Sequence, residues 1–230
     1  MKKILFLKRC KAPLKVFFIY FLTKFKNFFL RRKIIYFKRK HQNFIKNKKI
    51  TNDYFSSHSF NFFNILKKRK SFFEYLEIGS FEGNSAIFVA KNFPMSKVTC
   101  VDPWIKTSEY AEELNFIDVE KNYDENTKEF ENIKKYRMTS DTFFKLNSNM
   151  FDVIYVDGYH YGPQVLKDLR NSWKFLYTKG YLICDDYIWN LSEKTEITPC
   201  FVINKFLREI KNEFIIKKVS NSQIFIKKIN

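Results

Sequence analysis

Residues 75–90 read YLEIGSFEGNSAIFVA, and the reading of this stretch decides the fold. The run Phe72–Ile78 (FFEYLEI) is apolar, aromatic and of strand length. Gly79 permits a tight turn after it, and Gly83 lets backbone approach a ligand where the next helix starts. That helix is expected over Gly83 to Phe93, with Ala86, Phe88, Val89 and Ala90 as its packing face. The spacing is G-x-x-x-G; it lacks the G-x-G-x-x-G of dinucleotide binding, and no Lys-Ser/Thr follows as in a phosphate loop. A pyrophosphate is therefore disfavoured as the ligand.

Working outward, strands and helices alternate. A helix over His58–Arg69 precedes the first strand, and Val98–Val101 forms a second strand closed by Asp102-Pro103. Residues 108–135 are highly charged with apolar positions at helical spacing, which predicts one or two surface helices, followed by a short strand over Tyr136–Met138. Phe151–Val156 (FDVIYV) is a strand ending at Asp157-Gly158, Pro163–Tyr177 a helix, and Tyr181–Cys184 a buried strand ending at Asp185-Asp186. Thr198–Asn212 reads as a helix, and strands Phe214–Val219 and Gln223–Lys227 close the chain around Asn221-Ser222. This alternation predicts an α/β, Rossmann-like doubly wound sheet, mostly parallel, with an antiparallel C-terminal strand. Ligands of such sheets sit beyond the carboxyl ends of the strands. Gly79, Asp102, Asp157 and Asp185 all fall at such ends.

The 230 residues carry 42 Lys+Arg against 24 Asp+Glu, a formal charge of +18. Residues 1–50 hold 17 of the basic groups and no acid, so the remaining 180 residues are nearly neutral. A basic, aromatic extension over 1–50 attached to a domain over 51–230 follows. Its longest uncharged stretch, Val16–Thr23, is eight residues, against about 20 for a membrane span. No small-x-small cleavage site marks it as a secretory signal. Three readings of the segment stand: a helix lying on an anionic membrane surface, a lightly packed extension, and a nucleic-acid anchor. The nearly neutral body disfavours nucleic acid as a partner. Cys10, Cys100, Cys184 and Cys200 form no C-x-x-C, and Cys100 and Cys184 sit in apolar runs. That usage points to a reducing, cytoplasmic setting, and the membrane-surface reading of residues 1–50 would add peripheral contact there.

The chemistry concentrates at the later strand ends. Asp157-Gly158-Tyr159-His160 and Asp185-Asp186-Tyr187 come from neighbouring strands. Three converging carboxylates repel unless a cation lies among them or some are protonated. Hard oxygen ligands favour magnesium, manganese or calcium, with Asp157, Asp185 and Asp186 as the expected set; the alternative is that these acids cap the following segments. His160 has an unperturbed pKa suited to a general base near neutrality, and metal-ligand and structural roles stay open for it. Tyr159, Tyr161, Tyr187 and Trp189 are candidates to line an acceptor pocket. Asp102, 19 residues after Gly83, can take both hydroxyls of a ribose or serve only as a cap.

The stretch Tyr75–Ala90 together with Val101-Asp102-Pro103-Trp104 resembles the cofactor-binding half of class I S-adenosylmethionine-dependent methyltransferases, on the O-methyltransferase branch that includes the catechol enzymes. The set D-G-x-H followed by D-D-Y resembles the metal-dependent sugar O-methyltransferases of macrolide biosynthesis. The resemblance implies that Gly79 and Gly83 line the methionine part of the cofactor, that Asp102 holds its ribose, and that Thr139, Ser140 and Asp141 lie beside the adenine. It places Glu77 on the family's acidic position and counts Ser80, Phe81, Asn84, Ser85 and Trp104 with the cofactor site. It also implies a divalent metal, Mg²⁺, on Asp157, Asp185 and Asp186, with His160 and Asp157 in the chemistry and a saccharide-like hydroxyl as acceptor. A phenolic or polyketide acceptor, an RNA substrate, and a non-enzymatic protein on the same fold are the competing readings.

Overall fold

The computed structural model describes residues 2–69, 72–107, 114–189 and 194–230. Three helices come first: α1 (Lys2–Arg9), α2 (Leu14–Phe29) and α3 (Arg31–Ile45). After α4 (Ser59–Leu66) the chain alternates through β1 (Glu74–Ile78), α5 (Asn84–Asn92), β2 (Lys97–Asp102), α6 (Phe116–Thr127), β3 (Ile133–Arg137), α7 (Ser140–Leu146) and β4 (Phe151–Val156). It ends with α8 (Gly162–Lys174), β5 (Leu176–Cys184), α9 (Pro199–Glu209), β6 (Phe214–Val219) and β7 (Ile224–Lys228). The chain divides into two compact units, residues 27–143 and residues 1–26 with 144–230.

In the unit of residues 27–143, β1, β2 and β3 lie in the order β3-β2-β1, all parallel, with Leu76 opposite Thr99 and Val101 opposite Tyr136. Parallel strands need both faces covered, and the sequence supplies the cover. Tyr75, Leu76, Val98 and Cys100 are fully buried, as are Ala86, Ile87 and Val89 of α5. Helix α3 contributes to the same core through Phe37, whose ring lies 5.5 Å from Phe60 and 4.9 Å from Phe63. Its His41 sits edge-on to Phe55 and Phe88 at 5.5 and 5.2 Å.

In the other unit the order is β4-β5-β7-β6, with β4 and β5 parallel and the last two pairs antiparallel. Helices α8 and α9 meet through Trp173 and Phe206, 5.8 Å apart. The first two helices are tied to this unit by specific bonds. Asn204 Nδ2 donates to the Cys10 carbonyl at 3.1 Å, Arg208 to the Lys11 carbonyl at 3.0 Å, and the Tyr20 hydroxyl to Asn221 Oδ1 at 3.0 Å. Phe6, Leu7, Cys10, Val16 and Tyr20 are buried there.

Boundaries differ from the sequence reading where polar residues mask the pattern. Strand β3 covers residues 133–137 because Lys134, Lys135 and Arg137 belong to a strand at the end of the sheet order, where charge is tolerated. Lys135 and Arg137 are paired with Glu120 at 2.8 and 2.9 Å. Strand β5 begins at Leu176, five residues before the expected Tyr181. Its polar start contains Gly180, where a Cβ would come within 2.7 Å of the Tyr177 carbonyl. Helix α7 was not expected; Thr139 Oγ1 accepts the Thr142 N–H at 3.2 Å and starts it. Of the helical region expected over 108–135, residues 108–113 lie outside the described residues, and α6 accounts for 116–127.

Candidate active site

The turn after β1 is held by the acid after β2. One oxygen of Asp102 accepts the N–H groups of Ser80 and Phe81, both at 3.0 Å, and the other accepts the Trp104 N–H at 2.7 Å. The Trp104 indole N–H donates in turn to the Phe81 carbonyl at 2.9 Å. Gly79, Phe81, Gly83 and Trp104 all have positive φ, at 86°, 47°, 79° and 46°. Phe81 and Trp104 lack glycine's freedom, and the three bonds to Asp102 are what keeps them there. An ionised carboxylate has about four acceptor positions. Backbone uses three of those on Asp102, leaving room for one ribose hydroxyl. Burial raises the Asp102 pKa, and the bonds from Phe81, Trp104 and Ser80 oppose that rise.

Gly83 serves the fold as well as any ligand. A Cβ there would meet Thr127 and Tyr123 of α6 at 3.1 Å. Glu77 lies fully buried below the turn, accepting the Tyr75 hydroxyl at 3.0 Å. Burial pushes its carboxyl up to about 7, against hydrogen bonds from Ser85, Tyr75 and Ser80. Ser140 is buried in the first turn of α7, beside a half-buried Asp141.

Sequence reasoning missed the outer supports of this turn. Asn84 Nδ2 donates to Asp53 Oδ1 at 3.2 Å, so its Oδ1 faces His41 Nε2, 2.7 Å away, and accepts the imidazole N–H. Burial keeps His41 below its ordinary pKa and therefore neutral. Glu82 accepts the Thr51 N–H at 2.7 Å and Asn122 Nδ2 at 2.8 Å. Asn126, buried, donates to the carbonyls of Lys49 and Glu82 at 3.0 and 2.9 Å.

The acidic cluster forms where β4 and β5 end together. Val156 is opposite Cys184, and the Asp185 N–H donates to the Val156 carbonyl at 3.0 Å. Asp157, His160 and Asp186 each offer a ligand atom, and these atoms lie within 4.8 Å of one another. His160 Nε2 is 2.7 Å from Asp186 Oδ2 and 3.5 Å from Asp157 Oδ1. Asp186 reaches this place from a positive φ of 50°. Asp185, expected as a third ligand, is turned elsewhere. Its Oδ2 meets the Tyr155 hydroxyl and accepts Gln223 Nε2 at 2.7 Å, while Oδ1 accepts the Asp186 N–H at 2.8 Å. His160 stands with Asp157 and Asp186 in its place.

Tyr155 also contacts Asp157 Oδ2 at 2.7 Å. A phenol has one proton, so one of its two carboxyl contacts requires a proton on the acid. Burial is the largest cause that lifts Asp157 well above the carboxylate range, followed by the charge of Asp185; the bond to His160 works the other way. The two carboxylates of Asp157 and Asp186 fit a hard divalent cation, which would replace that proton, with the His160 imidazole beside it. Of the expected acceptor-lining residues, Tyr161 and Trp189 are exposed, and the Trp189 ring lies 5.3 Å from His160. Tyr187 is fully buried with its hydroxyl on Asn204 at 2.7 Å, so it packs and does not line a pocket.

Residues 76–187 match the family model described as a methyltransferase domain. An uncharacterised protein of Acanthamoeba polyphaga mimivirus is 28% identical over 180 residues, which is 72% of this chain and 76% of that one. Among solved structures, a provisionally named caffeoyl-CoA O-methyltransferase from Staphylococcus aureus superposes with a TM-score of 0.58 at 14% identity, over 90% of this chain and 99% of its own. An S-adenosylhomocysteine-bound methyltransferase of Podospora anserina gives 0.57 at 13%, over 84% and 88%. The MycE methyltransferase of mycinamycin biosynthesis, in complex with Mg, S-adenosylhomocysteine and mycinamycin VI, gives 0.57 at 14%, over 84% of this chain and 55% of its own. These likenesses carry the mostly parallel sheet with its antiparallel C-terminal pair. Residues 76–187 are thus similar to a methyltransferase domain, on a fold shared with these methyltransferases.

Proposed function

We propose that the protein is an O-methyltransferase that moves the methyl group of S-adenosylmethionine to a hydroxyl of a saccharide-like acceptor, with a divalent cation on Asp157 and Asp186 and with His160 as general base. The observation that carries this reading is the approach of Asp157, His160 and Asp186 to within 4.8 Å of one another. An isolated sugar hydroxyl is barely ionised at neutral pH, so the reaction needs both a place for its proton and stabilisation of the alkoxide. The cation, when bound, supplies the stabilisation. His160 takes the proton, and Asp186, 2.7 Å from the ring, orients it. The acceptor oxygen bonds to the methyl carbon as the carbon–sulfur bond breaks, its electron pair returning to sulfur. Gly79, Gly83, Asp102, Ser140 and Asp141 would hold the cofactor, and alignment of oxygen, carbon and sulfur supplies much of the remaining rate. The likeness to MycE, solved with Mg and mycinamycin VI, supports the same choice of metal and acceptor class.

The test is methyl-label transfer from S-adenosylmethionine to a panel of glycosides and catechol-type phenols, with Mg²⁺ and with EDTA. Label on glycosides that EDTA abolishes is the expected result. Label confined to phenols overturns the acceptor, and label insensitive to EDTA overturns the metal.

A further inference from the structure

We propose that helix α2 docks the protein on an anionic lipid bilayer, lying in the plane of the interface. The helix has two faces that differ in what they meet. Val16, Tyr20 and Thr23 are buried. The Tyr20 hydroxyl bonds Asn221, Thr23 Oγ1 accepts the Val219 N–H at 3.4 Å, and the Lys15 ammonium lies 3.6 Å from the centre of the Phe214 ring. These bonds fix the rotation of the helix. Leu14, Phe18, Phe21, Phe25, Phe28 and Phe29 are left exposed, from 55% at Phe21 to 88% at Leu14. At 100° per residue these six fall within one stripe about a quarter of the circumference wide. Aromatic side chains in an unbroken stripe of this size are uncommon on a surface that meets only water.

Charge selects the occupant. Lys15, Lys24 and Lys26 flank the stripe, Arg31, Arg32 and Lys33 follow it, and residues 1–50 contain no acid at all. A second copy docked on this stripe would bring two segments of 17 basic groups together, which repel. A nucleic acid would satisfy the lysines and leave the phenylalanines unused. An anionic bilayer takes both, with rings among the acyl chains and ammonium groups at the phosphates. Among the described residues no helix is long and apolar enough to cross a membrane. The 16 residues of α2 give a rod of about 24 Å, suited to lying flat. This inference stands independently of the acceptor proposed above.

The experiment is co-flotation of the full chain with vesicles of phosphatidylcholine alone and of phosphatidylcholine with about 30% phosphatidylglycerol. Partitioning at least tenfold stronger on the anionic vesicles is expected, weakening as salt is raised. The joint variant Phe18→Ala, Phe21→Ala, Phe25→Ala, Phe28→Ala should lose about a hundredfold or more in partitioning, while its circular dichroism and S-adenosylhomocysteine binding stay at wild-type levels. The single variant Phe18→Trp keeps the stripe and should show a blue-shifted emission change on vesicles. Equal binding to neutral vesicles, wild-type partitioning by the alanine variant, or no emission change overturns the proposal. So does a stripe-dependent dimer in solution, or salt-sensitive RNA binding without vesicle binding.

Discussion

Replacing Glu77 by Gln tests whether the cofactor turn rests on a protonated acid. The carboxyl is fully buried, and burial lifts it from 4.5 to about 7. A raised acid pKa favours the protonated, folded form. The stabilisation is therefore fully present below pH 4.5 and is lost as pH rises through about 7. At about 1.4 kcal/mol per pH unit, the difference between the two values is worth about 3 kcal/mol. Glutamine has the same shape and no charge to bury, so the substituted side chain carries none of this dependence. The assay is urea unfolding of wild type and Glu77→Gln, without cofactor, at intervals from pH 4 to pH 8. Relative to the variant, the wild type should lose about 3 kcal/mol across that range, with the change confined between pH 4.5 and 7. At a slope near 2 kcal/mol/M, the two urea midpoints should move apart by about 1.5 M. A difference that stays flat with pH would mean that Glu77 ionises in the folded protein as it does in the unfolded chain.

Three further substitutions address other parts of the site. Gly83→Ala forces a side chain into positive φ and against Thr127 and Tyr123, and should cost about 2–4 kcal/mol in urea unfolding, with weaker S-adenosylhomocysteine binding by calorimetry. Tyr155→Phe removes the hydroxyl that stands between Asp157 and Asp185; in EDTA at pH 7 it should destabilise by about 1–3 kcal/mol, measured the same way. His160→Asn should lower turnover by about a hundredfold or more while S-adenosylhomocysteine affinity changes little, read from single-turnover methyl transfer and calorimetry.

The strand ends were legible because a buried parallel strand leaves little choice of residue until it reaches the edge, where Gly79, Asp102, Asp157 and Asp185 stand out. Tyr155 was equally within reach: it lies two residues before Asp157 in β4 and therefore on the same face. The exchange of Asp185 for His160 was not. It depends on Gln223, which precedes Ile224, the residue paired with Cys184 in the antiparallel register of β5 and β7. No local pattern encodes that register. The contact of His41 with Asn84 spans 43 positions, and a histidine among Lys and Phe residues gives no periodic signal of its own. The basic composition of residues 1–50 was plain, but the sorting of α2 into a bonded face and an aromatic face needed Asn221 and Val219 from the far end of the chain.

Helix α3 carries Tyr36 and Arg39 on its outer side and His41 toward the glycine turn, where the imidazole holds Asn84 at the start of α5. With the cofactor on the glycine turn, as proposed above, folding of α3 and occupancy of that site share a bond. By thermodynamic reciprocity, a cofactor that favours the held position of Asn84 slows amide exchange along residues 31–45, and whatever frays α3 weakens cofactor binding by the same factor. A helix that precedes the first strand becomes a gauge of whether the proposed cofactor site is loaded.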